Sequence, residues 1–176
     1  MSAIATRPYA VGPNEGRNLP LARLGTVHKI PSMATNGLVA IVEHTLPAHA
    51  LAAPLHRHTY EDELSIVLEG SLGALLGGDI VIAPAGSYVV KPRGQWHTFW
   101  NAGETELRFI ELLLPGGFEG YFERLSPLLS AAGGPDPAAI QSLAGEHGIE
   151  FDFDSVPELC ERLGLSFGQQ DGAGRI

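Results

Sequence analysis

Between Leu24 and Leu114 the apolar residues come in short runs, several of which alternate with polar ones, and no long helical stripe interrupts them. The runs are approximately Leu24–Ile30, Leu38–Leu46, Glu63–Leu68, Leu72–Leu76, Asp79–Ala83, Tyr88–Lys91, His97–Asn101 and Leu107–Leu114. They contain β-branched and aromatic residues, and Gly77-Gly78, Pro84-Ala85-Gly86 and Asn101-Ala102-Gly103-Glu104 break them. Many short strands at close spacing predict an antiparallel sandwich or barrel, not a parallel α/β sheet. Side chains alternate across a strand, so Glu63, Ser65 and Val67 share one face while Leu64, Ile66 and Leu68 share the other. A small barrel needs only its interior filled. An apolar outer face therefore predicts a cover, formed by C-terminal helices, a second subunit or both.

The period changes after Pro115-Gly116-Gly117. Phe118, Tyr121, Phe122, Leu125, Leu128 and Leu129 recur at helical spacing, with Pro127 predicting an end or kink near Ser126. Asp136-Pro137 reads as a cap and first turn opening a helix over Ala138–His147. Ser155-Val156-Pro157-Glu158 fits a capping box, opening a helix to Leu163 that Gly164 stops. The chain divides into an extended arm (1–20), a barrel (21–115), helices packed on it (116–168) and a disordered tail (169–176). The helical part is too small to make an independent core.

The 176 residues suffice for one domain with a real core. A net charge of −9, with no basic patch to neutralise phosphates, argues against a nucleic-acid partner. From Glu119 onward ten acidic residues face three arginines, which reads as solvated helical surface. No apolar run is long enough to span a bilayer, and Met1 to Pro13 lacks the pattern of a signal peptide. Cys160 is the one cysteine, so a reducing cytoplasm is the expected home.

Two histidine-bearing segments carry the chemistry. His56 and His58 lie two apart, which on a strand puts both on one face, and Glu63 follows five residues later. His97 comes from a separate predicted strand, sharing a face with Gln95, Phe99 and Asn101. Three imidazoles and a carboxylate suit one divalent transition metal and leave up to two octahedral positions for water, substrate or dioxygen. Open positions mark catalytic sites rather than closed structural ones. A lone His-x-His is weak evidence, and a lone buried His97 is more often a core residue. The joint spacing carries the argument: His-x-His-x4-Glu-x6-Gly from His56 to Gly70, then Gly-x5-Pro-x-Gly-x2-His-x3-Asn from Gly86 to Asn101.

These segments resemble the two sequence motifs of the cupin superfamily. The second is matched at Gly86, Pro92, Gly94, His97 and Asn101. The first is matched at His56, His58, Glu63 and Gly70, and departs at its leading glycine, where Ala50 stands. The resemblance spans about residues 37–115, and the short spacer is similar to compact single-domain members. It implies an all-β double-stranded β-helix, a jelly-roll barrel with the helical segment as appendage. It also implies metal ligation by His56, His58, Glu63 and His97, with Fe, Mn, Ni, Co, Cu or Zn as the ion. Gly70, Gly86 and Gly94 are expected at turns of positive φ.

Resemblance to quercetinase-type single-domain cupins implies a metal-dependent dioxygenase-like enzyme on a small, aromatic or enolisable organic substrate. Glu63 is the candidate catalytic base. The alternatives are Lewis-acid isomerase, cyclase or lyase chemistry and a non-catalytic small-molecule-binding module. Phe99, Tyr60 and Glu111 are the candidate pocket residues, with Trp96, Trp100 and Met33 as further aromatic or apolar candidates. Glu111, set in an apolar run, is expected either near the site or paired with Arg108, Arg93 or Lys91. Glu43 and His44 are adjacent, so one of them faces the interior. Arg57 is expected to point away from the metal, and Cys160 to pack in the last helix. A homodimer is expected from the apolar outer face and the arm.

Overall fold

The computed structural model describes residues 9–132 and 134–168, so the tail over 169–176 lies outside the described residues, as do residues 1–8 of the arm. The described residues form eleven strands: β1 (Arg17–Asn18), β2 (Gly25–Ile30), β3 (Ala40–Leu46), β4 (Leu55–His58), β5 (Asp62–Glu69), β6 (Ser71–Leu76), β7 (Asp79–Pro84), β8 (Tyr88–Lys91), β9 (His97–Asn101), β10 (Leu107–Leu114) and β11 (Ile149–Asp152). Helices α1 (Glu119–Leu129), α2 (Pro137–Glu146) and α3 (Ser155–Leu163) follow the first ten strands, with β11 set between the last two helices.

Two antiparallel sheets face each other. One has the order β1-β2-β3-β10-β5-β8 and the other β11-β4-β9-β6-β7. The alternation in β3, β5 and β10 sends every second side chain inward, and each of these is buried. Register then sorts the interior into layers. Leu46 faces Leu107, and Phe109 lies between His44 and Val67. Glu111 faces Ser65, Leu113 faces Glu63, and Glu63 faces Lys91. One end of the barrel is thus an apolar floor and the other carries buried charge.

Two glycines, one in a turn and one inside a strand, stand where a side chain would not fit. Gly70 closes the β5–β6 turn at φ +79°, where a Cβ would stand 3.0 Å from the Glu106 carbonyl oxygen. Gly73 lies so close beneath Trp100 that a Cβ would sit 2.2 Å from its ring. At the departure from the motif, Ala50 is fully buried and the left-handed residue is His49 (φ +52°). Asn101 pins the floor: its amide donates to the Leu46 and Thr105 carbonyls and its oxygen accepts from the Gly103 N–H.

Beyond the barrel, some local readings need correction. Helix α1 runs past Ser126 to Leu129 despite Pro127. The proline sits near the end, where few intrahelical bonds remain to lose, and Leu125, Leu128 and Leu129 pack on the core. Asp136 does cap α2 through its carboxylate and the Ala138 N–H. Ser155 does not form the expected capping box. Its hydroxyl accepts from the Leu55 N–H and donates to the Asp152 carbonyl, tying α3 to β4 instead. Strand β11 was not expected at all, and it pairs along the whole of β4.

On the outer face of β5, Leu64, Ile66 and Leu68 are half-buried. Phe118, Tyr121 and Phe122 of the α1 region share the barrel's interior cluster, so α1 caps the mouth. On the neighbouring strand β8 the outward side chains Tyr88 and Val90 are 75% and 54% exposed. Cys160 is half-buried in α3, against a small satellite cluster of Leu51, Trp100 and Leu159.

Candidate metal centre and its cavity

Strand β4 delivers His56 and His58 to one face, and β9 sets His97 directly opposite His56. The Pro92-Arg93-Gly94 corner, with Gly94 at φ +74°, leads the chain into β9, and the Gly94 N–H is held by the His58 carbonyl. Glu63 enters from β5. All four residues are buried, and one donor atom from each lies within 4.8 Å of the others. The structure brings the four ligands expected from the sequence into one cluster.

The hydrogen bonds around the rings fit a metal ion. His56 Nδ1 lies 2.8 Å from the Pro54 carbonyl and His97 Nδ1 lies 3.0 Å from that of Gln95. A carbonyl only accepts, so each ring carries its proton on Nδ1 and turns a bare Nε2 lone pair inward, the arrangement usual for metal-bound histidine. Nε2 of His58 and of His97 has no hydrogen-bond partner. Buried polar atoms are seldom left so, and an ion at this point would satisfy both. His58 stands 3.3 Å from Glu63 Oε1, and His97 Nε2 stands 3.4 Å from Glu63 Oε2.

Electrostatics separate the three rings. Burial, reinforced by its two imidazole neighbours, drives the His56 pKa well below the ordinary value, so it stays a neutral ligand. Burial also pulls on His58, but the Glu63 and Glu61 carboxylates outweigh it and raise its pKa. Glu63 is itself buried, which alone would raise it. The Lys91 ammonium, 2.9 Å from Oε2, and the His58 imidazole hold it well below the usual carboxylate range.

Lys91 is the largest fully buried side chain of the barrel. It bridges Glu63 and Glu111, with Nζ 2.5 Å from Glu111 Oε1, and lies 4.6 Å from the Phe99 ring centroid. Ser65 donates to the same Glu111 oxygen at 2.8 Å. Of the three partners considered for Glu111, Lys91 is the one it takes, while Arg108 and Arg93 serve the surface carboxylates Glu43, Glu69 and Asp62. Glu111 is thus paired with Lys91 and also lines the cavity.

That cavity, about 250 Å³, opens from His56, His58 and Glu63 into an apolar space. That is slightly below the usual size of small-molecule sites, about 300–1,000 Å³. Phe99 lines it as expected. Tyr60 does not: it follows His58 into the loop, is 57% exposed and packs over Gly148. Because His58 and Glu61 on either side turn inward, the intervening segment is carried outward. Trp96 lies under the Arg57 guanidinium on the outside, Met33 is exposed, and Trp100 belongs to the satellite cluster. Arg57 does point away, to Glu150.

The walls missed from sequence come from the appendage: Phe118, Tyr121 and Phe122 from the α1 region, and Phe151 of β11. Phe118 meets the His58 ring edge-on at 4.6 Å. Their helical spacing was visible, but it did not reveal which surface they would face. Of the adjacent pair Glu43 and His44, it is His44 that faces the interior. It lines the cavity from β3, while its neighbour Glu43 faces outward to Arg108.

Comparison with known proteins agrees with the fold. Residues 42–113 match the cupin domain model. The barrel has a cupin-like fold. Among curated proteins none matches the chain at a significant level. Several solved structures share the cupin fold. KdgF from Halomonas sp. is 16% identical, with 64% of this chain and 99% of that one covered and a TM-score of 0.56. The polyketide cyclase RemF from Streptomyces resistomycificus is 23% identical, with 61% and 80% covered and a TM-score of 0.52. A predicted oxalate decarboxylase from Thermotoga maritima is 22% identical, with 56% and 90% covered and a TM-score of 0.51. At such identities the likeness is one of fold. Among the described residues no helix is long and apolar enough to cross a membrane.

Proposed function

We propose that this cupin is a metal-dependent enzyme acting on a small, largely apolar substrate that carries an enolisable or phenolic oxygen, with dioxygenase-like chemistry as the leading form. The observation that carries the proposal is the opening of a buried three-histidine, one-carboxylate cluster into a cavity walled by aromatic rings. A divalent transition ion held by His56, His58, Glu63 and His97 would polarise a bound oxygen, and a redox-active one would also permit reaction with dioxygen. The chain's own residues do the rest. Phe99, Phe118, Phe122 and Phe151 exclude water and orient a flat molecule.

Glu63 is well suited to holding the ion. As a base it is weakened by Lys91, which keeps its carboxyl low. Glu111 is better matched to taking a proton: burial and the nearby Glu63 charge raise it, although Lys91 pulls the other way. This favours, as a second reading, Lewis-acid isomerisation, cyclisation or lyase chemistry, which needs a base but no dioxygen. The third reading is a binding module without turnover.

Oxygen uptake and substrate loss, measured for a panel of flavonols, catechols and 1,3-diketones with protein reconstituted with Fe, Mn, Ni, Co, Cu or Zn, separate the three. Oxygen uptake that requires both metal and substrate is the expected result. Equal turnover without oxygen moves the assignment to Lewis-acid chemistry. Tight binding without any turnover leaves a binding module. Glu63→Gln that keeps its metal and full activity would exclude Glu63 as the base. A homodimer and a reducing compartment belong to the same proposal. They are supported by the exposed Tyr88 and Val90 and by the single Cys160, and light scattering at micromolar concentration tests the first.

A further inference from the structure

Away from the metal cluster, the cavity wall holds a second polar pair that ligation does not use. His44 is 1% exposed, and its Nδ1 is taken up by the Thr26 hydroxyl at 2.9 Å. Its other nitrogen, Nε2, has no hydrogen-bond partner. That atom stands 3.9 Å from Glu111 Oε2, too far for a direct hydrogen bond. The other oxygen of Glu111 is occupied by Lys91 and Ser65. Both His44 and Glu111 line the cavity. The remainder of His44 is packed against Phe109 and Phe122, with ring centroids 5.1 and 5.9 Å away. An unpartnered imidazole nitrogen and a carboxylate oxygen thus face one apolar space across a gap that a single oxygen can bridge.

The chemistry of the gap selects the group. A carboxylate would be repelled by Glu111. A carbonyl can accept from an Nε2–H but offers nothing to a carboxylate. A hydroxyl accepts from the His44 Nε2–H and donates its one proton to the Glu111 carboxylate, so it satisfies both atoms when the Thr26 hydroxyl donates to Nδ1 and the ring proton sits on Nε2. Leaving such groups unpaired costs free energy, which makes the preference for a hydroxyl strong.

We infer that His44 Nε2 and Glu111 Oε2 together receive a ligand hydroxyl, so that the molecule this cavity takes is an aromatic alcohol of the phenol or enol class. The inference rests on the cavity being a ligand site, as the proposed function has it, but neither on bound metal nor on turnover.

The test uses the full chain stripped of metal by chelation, with 2-naphthol, 2-methoxynaphthalene and 2-methylnaphthalene as probes in calorimetric or fluorescence titrations. Wild type is expected to bind 2-naphthol about tenfold tighter than either capped probe, the scale of one buried hydrogen-bonding group. His44→Phe is expected to keep its affinity for the hydrocarbon and lose the preference, and His44→Gln, which retains a polar tip, to restore part of it. His97→Ala is expected to keep the preference. Equal binding of the three probes by wild type, or no binding of any, overturns the inference. A preference that survives in His44→Phe but disappears in His97→Ala also overturns it and moves the hydroxyl to the metal cluster. Metal content, measured separately, reports on the metal reading whatever the probes do.

Discussion

Two groups of buried histidines share one barrel, and their surroundings differ. His56, His58 and His97 face one another around a carboxylate, with ring centroids 4.4 to 5.6 Å apart. His44 sits apart among phenylalanines, with one hydroxyl for company. Burial is nearly complete in both. The lesson is that burial alone does not assign a role. Three rings gathered around one carboxylate, two of them anchored at Nδ1 so that Nε2 turns inward, describe a ligand shell. One ring anchored at a single nitrogen, with the other turned to an apolar space, describes a contact for something that enters that space.

The largest effect that tests this contrast is on metal content. Elemental mass spectrometry is expected to find near-stoichiometric metal in wild type and almost none in His97→Ala. Loss of partners beyond the ligands already costs about 10–100-fold in affinity, and loss of a ligand costs more. His44→Phe is expected to keep its metal, and an equal loss there would erase the distinction between the two groups. Next in size is Lys91→Met, which leaves Glu63 and Glu111 buried without their cation. Denaturant unfolding of the metal-free protein is expected to show a loss of about 3–5 kcal/mol, and a neutral outcome would show that the two carboxylates do not need it.

A smaller effect follows from pH. Burial, with Lys91 nearby, lowers the His44 pKa from 6.5 to about 3. Between those values the unfolded chain binds a proton that the folded one refuses. The stability this histidine contributes is therefore complete above pH 6.5 and lost as pH falls toward 3. Metal-free protein is expected to be less stable at pH 4.5 than at pH 7 by roughly 2–3 kcal/mol from this group. The comparison that isolates it is the same pair of pH values in His44→Phe, where the slope should be shallower. An unchanged slope would mean that His44 takes up its proton readily in the fold. The smallest change is Thr26→Val, which removes the hydroxyl beside Nδ1 and is expected to cost about 1 kcal/mol.

The contrast also explains what the sequence revealed. The strands of the barrel were legible because alternation and turn residues are local properties. The ligand cluster was legible because His56 and His58 share a face by spacing alone, and the Pro92–Gly94 corner announces the strand that carries His97. His44 was not legible. Either Glu43 or His44 had to face inward, and the choice depends on the register of β3 against β10, which a one-residue slip would reverse. Strand β11 is four residues long and has a partner only because β4 is there. Phe118, Tyr121 and Phe122 announced a helix, yet the surface they cover is set by tertiary packing. Tyr60 misled because its aromatic character says nothing about which way a loop residue turns.

The pairing of β11 with β4 bears on how the site comes into being. The strand that presents His56 and His58 lies between β9 and a segment made far later in synthesis. On the ribosome, every metal ligand emerges well before the piece that flanks two of them. The C-terminal segment thus backs a cluster whose four candidate ligands all lie earlier in the chain, which couples the appendage to the geometry of His56 and His58.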